Sequence, residues 1–206
     1  MIAILRWRSI PRILVGMLAA LVLVVAAYLT IMRPWHLHWG ATPEEVNRPM
    51  PGDSLISDAS LNTTRAITIR ARPEKIWPWL VQMGPGRGGW YSYDRIDNGG
   101  RPSADRIVPE WQVTLRPGDS LGAGTGPKFQ VMQVEPYRHL VLGPQISWAL
   151  ALYPQADGST RLVQRLRARY HWSSVRAAMF AIVLDVGDFI MMRKMLLNLK
   201  ERVERN

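Results

Sequence analysis

The chain has 206 residues, of which 48% are hydrophobic, so it is long enough for one globular domain with a buried core plus a small additional segment. It contains no cysteine, which excludes disulfides, thiolate zinc sites and cysteine nucleophiles. The formal net charge of +10 favours contact with anionic lipid headgroups, whereas no basic run or motif typical of nucleic-acid binding accompanies it.

The first predicted element is an apolar N-terminal segment. Residues 13–32 carry no charge, and a helix of this length would span about 30 Å, the thickness of a bilayer core. The arginines that flank the segment are Arg6, Arg8 and Arg12 before it and Arg33 after it. This imbalance predicts a single-pass protein of the cell membrane, with residues 1–33 as the anchor, the N-terminus inside and the main domain extracytoplasmic.

A cleaved signal peptide is the alternative for the same segment. Val25 and Ala27 are small residues that would suit a cut before Tyr28. The apolar run continues beyond that point to Met32, which favours an uncleaved anchor. Both alternatives place the main domain on the far side of the membrane.

The segment that follows is rich in turn-forming residues. Prolines and Gly52 interrupt any periodicity in residues 34–62, which predicts an irregular tether or a segment wrapped over the domain. We assign residues 63–206 to one domain. Its first element is a strand at 64–70, where apolar and polar residues alternate.

A short helix and a glycine-rich turn come next. Pro73 suits the first position of a helix, Pro78 is expected to kink or split it, and Gly84 ends it. The glycines of residues 84–89 match G-x-G-x-x-G, but a dinucleotide site needs a strand before that motif and a helix after it. We therefore favour a turn, or a hinged lid over a cavity, at residues 84–89.

In the second half of the chain, short segments with the residue pattern of antiparallel strands are followed by a long helix. Strands are predicted at 128–135, 138–143, 146–153 and 160–170, and the final helix at about 174–203. In the last strand, apolar side chains share one face with a single glutamine, whereas arginines share the other face. This pattern predicts a sheet with one solvated side.

A basic stripe lies on that solvated side. Arg165, Arg167 and Arg169 alternate along the last strand. Such a stripe is usually a solvated face, and in a domain close to a membrane it would also suit anionic lipid.

The order of these elements predicts an α+β fold. A strand, a short kinked helix, several antiparallel strands and a long C-terminal helix allow a curved antiparallel sheet to wrap around the final helix. The space between sheet and helix can then hold a cavity instead of a filled core.

Three stretches carry a resemblance to a known superfamily: ARPEKIWPWLVQMG at 71–84, GGWYSYD at 88–94 and ADRIVPE at 104–110. They resemble the START-like, or SRPBCC, helix-grip superfamily, and more narrowly its membrane-anchored bacterial branch labelled polyketide cyclase/dehydrase-like. The resemblance covers residues 38–204. It implies a helix-grip fold that binds lipids, sterols, polyketides or other apolar molecules between the sheet and the final helix. Only some members are enzymes, and no catalytic residues carry over from this branch.

Aromatic side chains and one amide are the candidate ligand-binding residues. Three rings follow the glycine-rich turn, where they would form the rim of a cavity. Gln164 is the single polar residue expected on the inward face of its strand, and a buried amide needs a partner in the protein or on a ligand. The full candidate set is Trp90, Tyr91, Tyr93, Trp148, Gln164 and Tyr170.

The candidates for catalysis are Tyr91, Tyr93 and Asp94, which would move a proton on a bound polyketone. Arginines are interspersed among the nearby carboxylates, so structural ion pairs are the competing interpretation. The four histidines lack metal-binding spacing, and there is no G-x-S-x-G elbow. We therefore expect no metal site, no cofactor and no serine-histidine-acid chemistry.

The sequence leaves three hypotheses for function. The first is a membrane-anchored, non-catalytic domain that binds a small apolar or amphipathic molecule, such as a lipid or a polyketide-like compound. The second is a cyclase or dehydratase, which requires an acid and a hydroxyl that converge on an enclosed cavity. The third is a structural or interaction module, in which the space between sheet and helix is filled by side chains such as Trp148, Leu150, Leu152 and Leu166.

Overall fold

The computed structural model describes residues 10–122, 128–169 and 175–205, without the side chains of 10–12 and 175–180. The chain divides into two compact units between His36 and Leu37. We describe each unit by itself.

The N-terminal unit is helical. Helix α1 (Ile10–Ala27) continues through a π-helical stretch (Tyr28–Met32) into the short helix α2 (Arg33–Leu37). The helix from Ile13 to Leu37 is long and apolar enough to cross a membrane, and none of its apolar window is buried in the protein. A signal sequence meets the same criteria, so the apolar N-terminal helix is confirmed, whereas its anchoring and its orientation stay predictions.

Within residues 37–122, 128–169 and 175–205, the main unit contains a six-stranded sheet, four helices and two 3₁₀ turns. In chain order these elements are α3 (Pro43–Asn47), a 3₁₀ turn (Asp53–Ile56), β1 (Leu61–Ile69), α4 (Pro73–Val81), α5 (Asp94–Asp97), a 3₁₀ turn (Pro109–Trp111), β2 (Ser120–Leu121), β3 (Phe129–Glu135), β4 (His139–Gly143), β5 (Ser147–Pro154), β6 (Thr160–Ala168) and α6 (Val175–Arg205).

The sheet is antiparallel throughout, in the order β1-β6-β5-β4-β3-β2. The predicted α+β class, with an antiparallel sheet and a long final helix, is confirmed. β3, β4 and β5 begin and end within one residue of the predicted bounds. β1 starts earlier than predicted, at Leu61, because its pairing with β6 extends as far as Ala168.

The inward face of the sheet packs against α4 and the C-terminal half of α6. Met195, Leu196 and Leu199 of α6 are fully buried in the same hydrophobic cluster as Leu150 and other inward-facing side chains of the sheet. α4 remains one helix although Pro78 lies inside it. These contacts form the core of the main unit.

The outer face of the sheet is covered instead of solvated, which corrects the sequence-based prediction. Met50 packs in a second hydrophobic cluster with the small apolar side chains of this face, among them Ala66, Val141 and Val163. We call residues 40–58 the strap, because this segment lies across the outer face and includes helix α3. Residues 34–62 were predicted to be an irregular tether or a segment wrapped over the domain, and the strap agrees with the second alternative, although Pro43–Asn47 is helical.

The basic stripe is only partly a solvated surface, because Arg169 is 51% exposed whereas the arginines before it bond to the strap. The side chain of Arg165 is only 3% exposed and is bonded to the strap. Arg167 donates to the carbonyl oxygens of Ile56 and Ser57, and Arg169 pairs with Asp58. The arginines alternate because one side of β6 holds the strap, so this stripe is not available as a whole to bind lipid.

Candidate functional site

The glycine-rich stretch after α4 forms a tight buried turn. The backbone N–H and C=O groups of Gly84 and Gly89 pair with each other at 3.0 Å in both directions. Gly84 has a φ of +118°, and a Cβ there would lie 2.8 Å from the backbone nitrogen of Gly122. A helix precedes this stretch and no helix follows it directly, so it lacks the context of a dinucleotide site. Its close packing favours a fixed turn over a hinged lid.

Tyr91 is held inside the protein by this turn. Its hydroxyl donates to the carbonyl oxygen of Trp79 at 3.0 Å and accepts from the Gln82 amide at 3.1 Å. The ring is 1% exposed, and this burial raises the pKa of the Tyr91 hydroxyl well above its usual range. A phenol that is buried, fully bonded and hard to ionise is poorly suited to proton transfer.

The other two catalytic candidates, Tyr93 and Asp94, are less buried than Tyr91. The Asp94 carboxylate accepts hydrogen bonds from the backbone N–H and the hydroxyl of Ser103, at 3.0 and 2.5 Å. The Tyr93 ring is 37% exposed, and the Lys194 ammonium lies 3.8 Å from its centroid. Tyr93 and Asp94 line one open groove of about 520 Å³, whereas Tyr91 is buried, so a catalytic role of these three residues stays a prediction.

Asp97 is a buried acid that the sequence analysis did not single out. It is 3% exposed, and its burial, together with the nearby charge of Asp94, raises the pKa of its carboxyl to about 6. The only signal in the sequence was its position three residues after Asp94 on a short helix. Asp97 lies close to Ser92 and Lys194, whose interactions partly offset the rise.

An aromatic cluster lines part of the interior. The rings of Trp90, Trp148 and Phe129 lie with each pair of centroids 5.4 Å apart. Trp90 and Trp148, both predicted ligand-binding residues, are 3% and 2% exposed. The indole N–H groups of both tryptophans are buried and have no hydrogen-bond partner among the described residues. Buried indoles usually find an acceptor, so these two donors call for an explanation.

Gln164 is also a buried polar residue without hydrogen-bond partners, and here both polar atoms of the side chain are affected. It is fully buried, and neither its amide oxygen nor its amide nitrogen has a hydrogen-bond partner among the described residues. It lies on the inward face, directly opposite Leu150 on β5 and Arg65 on β1. The hydroxyl of Thr63, one inward position before Arg65, is likewise buried without a partner there.

Charged groups from β1 and α6 meet beside Gln164. Arg65 is fully buried and donates to the Asp188 carboxylate at 2.7 Å, and its guanidinium lies 5.6 Å from the centroid of the Phe189 ring. Asp185, one turn earlier on α6, is 1% exposed. No local sequence pattern in α6 indicates that Asp188 pairs with a buried arginine on β1.

The interior therefore combines aromatic and polar groups that the protein itself does not fully satisfy. The four unpartnered side chains named above, Thr63, Trp90, Trp148 and Gln164, lie on β1, the stretch after α4, β5 and β6. Tyr170, the remaining predicted ligand-binding residue, lies outside the described residues. No cluster of three or more potential metal-binding side chains occurs within the described ranges 10–122, 128–169 and 175–205.

Comparisons with known proteins concern the fold only. No family model matches the chain, and no curated protein matches it either. Solved structures similar to it include a polyketide-cyclase-like protein from Corynebacterium glutamicum, with 13% identity over 68% of this chain and 88% of that chain and a TM-score of 0.43. The Aha1 dimer from Colwellia psychrerythraea has 19% identity over 69% and 96%, with a TM-score of 0.36. A protein from Nitrosomonas europaea has 12% identity over 77% and 99%, with a TM-score of 0.47.

The strand order and the long final helix packed on the inward face decide the architecture. The main unit has a helix-grip fold. The fold of the superfamily that the sequence resembles is thus present, whereas the narrower membrane-anchored branch stays a prediction. Gln164 lies on the inward face of the sheet, which packs against α6, and a cavity at this place stays a prediction.

Proposed function

We propose that the helix-grip domain binds a small amphipathic molecule between the inward face of its sheet and α6. Its apolar part would contact the rings of Trp90 and Trp148, and its polar part would bond to Gln164. Lipids and polyketide-like compounds both have this combination of parts. The observation that carries the proposal is the fully buried Gln164 amide without a protein partner among the described residues.

The free-energy cost of burying an amide without hydrogen bonds supports the presence of a bound molecule beside Gln164. A buried donor or acceptor left without a hydrogen bond costs about 1–3 kcal/mol. Native interiors satisfy the great majority of such groups with protein or ordered water. Gln164, Thr63, Trp90 and Trp148 contribute five unpartnered polar atoms to one interior. A bound molecule with oxygen acceptors and a hydroxyl or amide donor would satisfy them.

A second buried glutamine provides a matched control. The Gln82 amide donates to the Tyr91 hydroxyl and to the carbonyl oxygen of Arg106, both at 3.1 Å. Its oxygen accepts from the backbone N–H of Val108 at 3.0 Å. Gln82 and Gln164 are both fully buried, so the same substitution removes an amide with partners at one site and without partners at the other.

The test compares Gln164→Leu with Gln82→Leu in the full chain. We expect Gln164→Leu to leave the free energy of unfolding of the empty protein unchanged or higher, and to abolish co-purification of an organic ligand and uptake of a fluorescent fatty-acid probe. We expect Gln82→Leu to lower the free energy of unfolding by about 1–3 kcal/mol, because it leaves bonded groups without partners. Denaturant titration and mass spectrometry of solvent extracts measure both effects.

Two outcomes would contradict the proposal. If the wild-type protein carries no organic molecule and takes up no probe, its interior does not bind a ligand. A Gln164→Leu variant as unstable as Gln82→Leu, with ligand retained, would show that the Gln164 amide is structural.

We further propose that the N-terminal helix remains uncleaved, anchors the domain in the cell membrane and leaves it extracytoplasmic. The support is the exposed apolar helix from Ile13 to Leu37 and the arginines that precede it. Because the chain has no cysteine, one cysteine introduced at exposed Ala156 should react with a membrane-impermeant maleimide on intact cells. Labelling only after lysis would contradict this orientation.

A further inference from the structure

The outer side of α6 carries an exposed apolar stripe that the binding function does not use. Val183, Gly187, Ile190 and Lys194 follow one another at spacings of four, three and four residues, which places them on one side of a helix. Val183 is 66% exposed and Ile190 is 46% exposed. Large aliphatic side chains so exposed on one helix face are a feature of interaction surfaces.

The loop after the glycine-rich turn extends this stripe sideways. Ile96 on α5 is 69% exposed, and it shares a groove of about 520 Å³ with Tyr93 and Lys194. A second groove of about 450 Å³ is lined by Tyr93, Lys194 and Ile190. Because both grooves include Tyr93 and Lys194, the surface is continuous. We call Tyr93, Ile96, Val183, Ile190 and Lys194 the apolar–basic patch.

The exposed charges on and around this patch are basic among the described residues. Arg95 and Arg193 are exposed beside it, and Lys194 lies within it. Two acids are close: Asp94 is half-buried, lines the same groove and accepts hydrogen bonds from Ser103, and Asp97 is buried. The basic groups Arg95, Arg193 and Lys194 outnumber them. The surface therefore combines aliphatic side chains with positive charge, the combination by which amphipathic helices bind the interface of anionic membranes.

We infer that the apolar–basic patch docks the domain onto an anionic lipid surface. The inference rests on the proposed function of the N-terminal helix as a membrane anchor. The main unit begins at Leu37, where the apolar helix ends. With no linker between them, the domain stays within reach of any membrane that the helix spans. The aliphatic side chains would enter the headgroup region, and the basic ones would contact lipid phosphate or carboxylate groups. This inference does not depend on an interior ligand.

The chain is well suited to a direct test because it contains no cysteine. Single cysteines replace Ile96, Val183 or Ile190 in the patch, and Ala156 in the β5–β6 turn serves as an exposed control. The full chain, labelled with an environment-sensitive fluorophore, is reconstituted into vesicles of phosphatidylcholine and phosphatidylserine. A fraction of the lipids carries a quencher near the headgroup.

We expect loss of fluorophore emission at all three patch positions and none above background at the Ala156→Cys control. Lys194→Gln should lower the ratio of docked to undocked domain about five-fold, the contribution of one basic residue near an anionic surface. Lys75→Gln removes an exposed charge outside the patch and should have no such effect. Vesicles without phosphatidylserine should also reduce the quenching.

Three outcomes would overturn the inference. Equal quenching at the patch and at the control would mean that the patch does not face lipid. Blue-shifted emission without quenching would identify a protein contact, either a second copy or another partner. Quenching that persists without anionic lipid and after Lys194→Gln would exclude the basic component. Gln164→Leu should leave the quenching unchanged, so that failure of ligand binding and failure of docking are distinguished.

Discussion

At the scale of single residues, Asp97 links the folded structure to pH. Its carboxyl has a pKa of about 6 in the folded protein against an ordinary value of 3.8. Between these two pH values the folded chain holds a proton that the unfolded chain has lost. Stability contributed by the protonated form is therefore complete below about pH 4 and is lost as the pH rises through about 6.

We predict that this loss disappears in Asp97→Asn. The free energy of unfolding of the wild type should fall from pH 4 to pH 7, relative to the variant, by about 1–3 kcal/mol, since one pKa unit corresponds to about 1.4 kcal/mol. Denaturant titrations at several pH values measure the difference. Asp105→Asn removes an exposed carboxyl as the control. Parallel pH profiles for wild type and Asp97→Asn would show that Asp97 has no such linkage.

At the scale of elements, the strap is attached to the sheet through Arg165. Its five hydrogen bonds use all five N–H groups of the guanidinium: one to Thr64 on β1, one to the Asp53 carboxylate and three to strap carbonyl oxygens. A buried arginine is costly to desolvate, but removal of one partner leaves the other groups buried and unpaired. Arg165 therefore determines whether the strap stays in place.

We predict that Arg165→Met destabilises the protein by about 3–5 kcal/mol, the range for breaking a buried ion pair. Arg169→Met, in which the lost partner is the exposed Asp58, should cost less than about 1 kcal/mol. Limited proteolysis should cut the strap of Arg165→Met faster than that of Arg169→Met. Equal stability of the two variants would contradict the role of Arg165.

The same elements show what the sequence could and could not predict. Strand β6 follows from alternation, whereas β4 and β5 are short apolar runs between turns and are buried on both faces. Alternation also predicted that the arginines of β6 share one face. The same sequence pattern arises whether their guanidinium groups are solvated or bonded to backbone carbonyl oxygens. The partners of Arg165 lie more than 100 residues away and are mostly backbone atoms. No local pattern in residues 34–62 reveals them.

The candidate site was predictable to a similar extent. Gln164 stood out because a single amide interrupts an apolar face, and its burial agrees with the prediction. Arg65 was missed because an arginine on a short alternating strand is ordinarily on the solvated side. Its place on the inward face becomes evident only with the register, which sets it opposite Gln164, and with Asp188 on a distant helix.

At the scale of the whole molecule, the two hydrophobic clusters belong to the main unit. Both consist of described residues from Leu37 onwards, and the outer cluster needs the strap residue Met50. A chain that begins at Leu37 therefore retains every described member of both clusters. The strap is part of the domain, because it covers apolar side chains of the sheet and bonds to its arginines.

We predict that a chain beginning at Leu37 folds by itself, whereas a chain beginning at Ser60 does not. The first retains both clusters, and the second exposes the outer face of the sheet and leaves Arg165 without its strap partners. Guanidinium titration followed by tryptophan fluorescence should give one cooperative transition for the chain from Leu37, with a monomer peak in size-exclusion chromatography. The chain from Ser60 should aggregate or unfold without cooperativity, because exposed apolar sheet faces associate. Cooperative unfolding of both chains would mean that the strap is dispensable, and aggregation of both would mean that the N-terminal helix contributes to the fold.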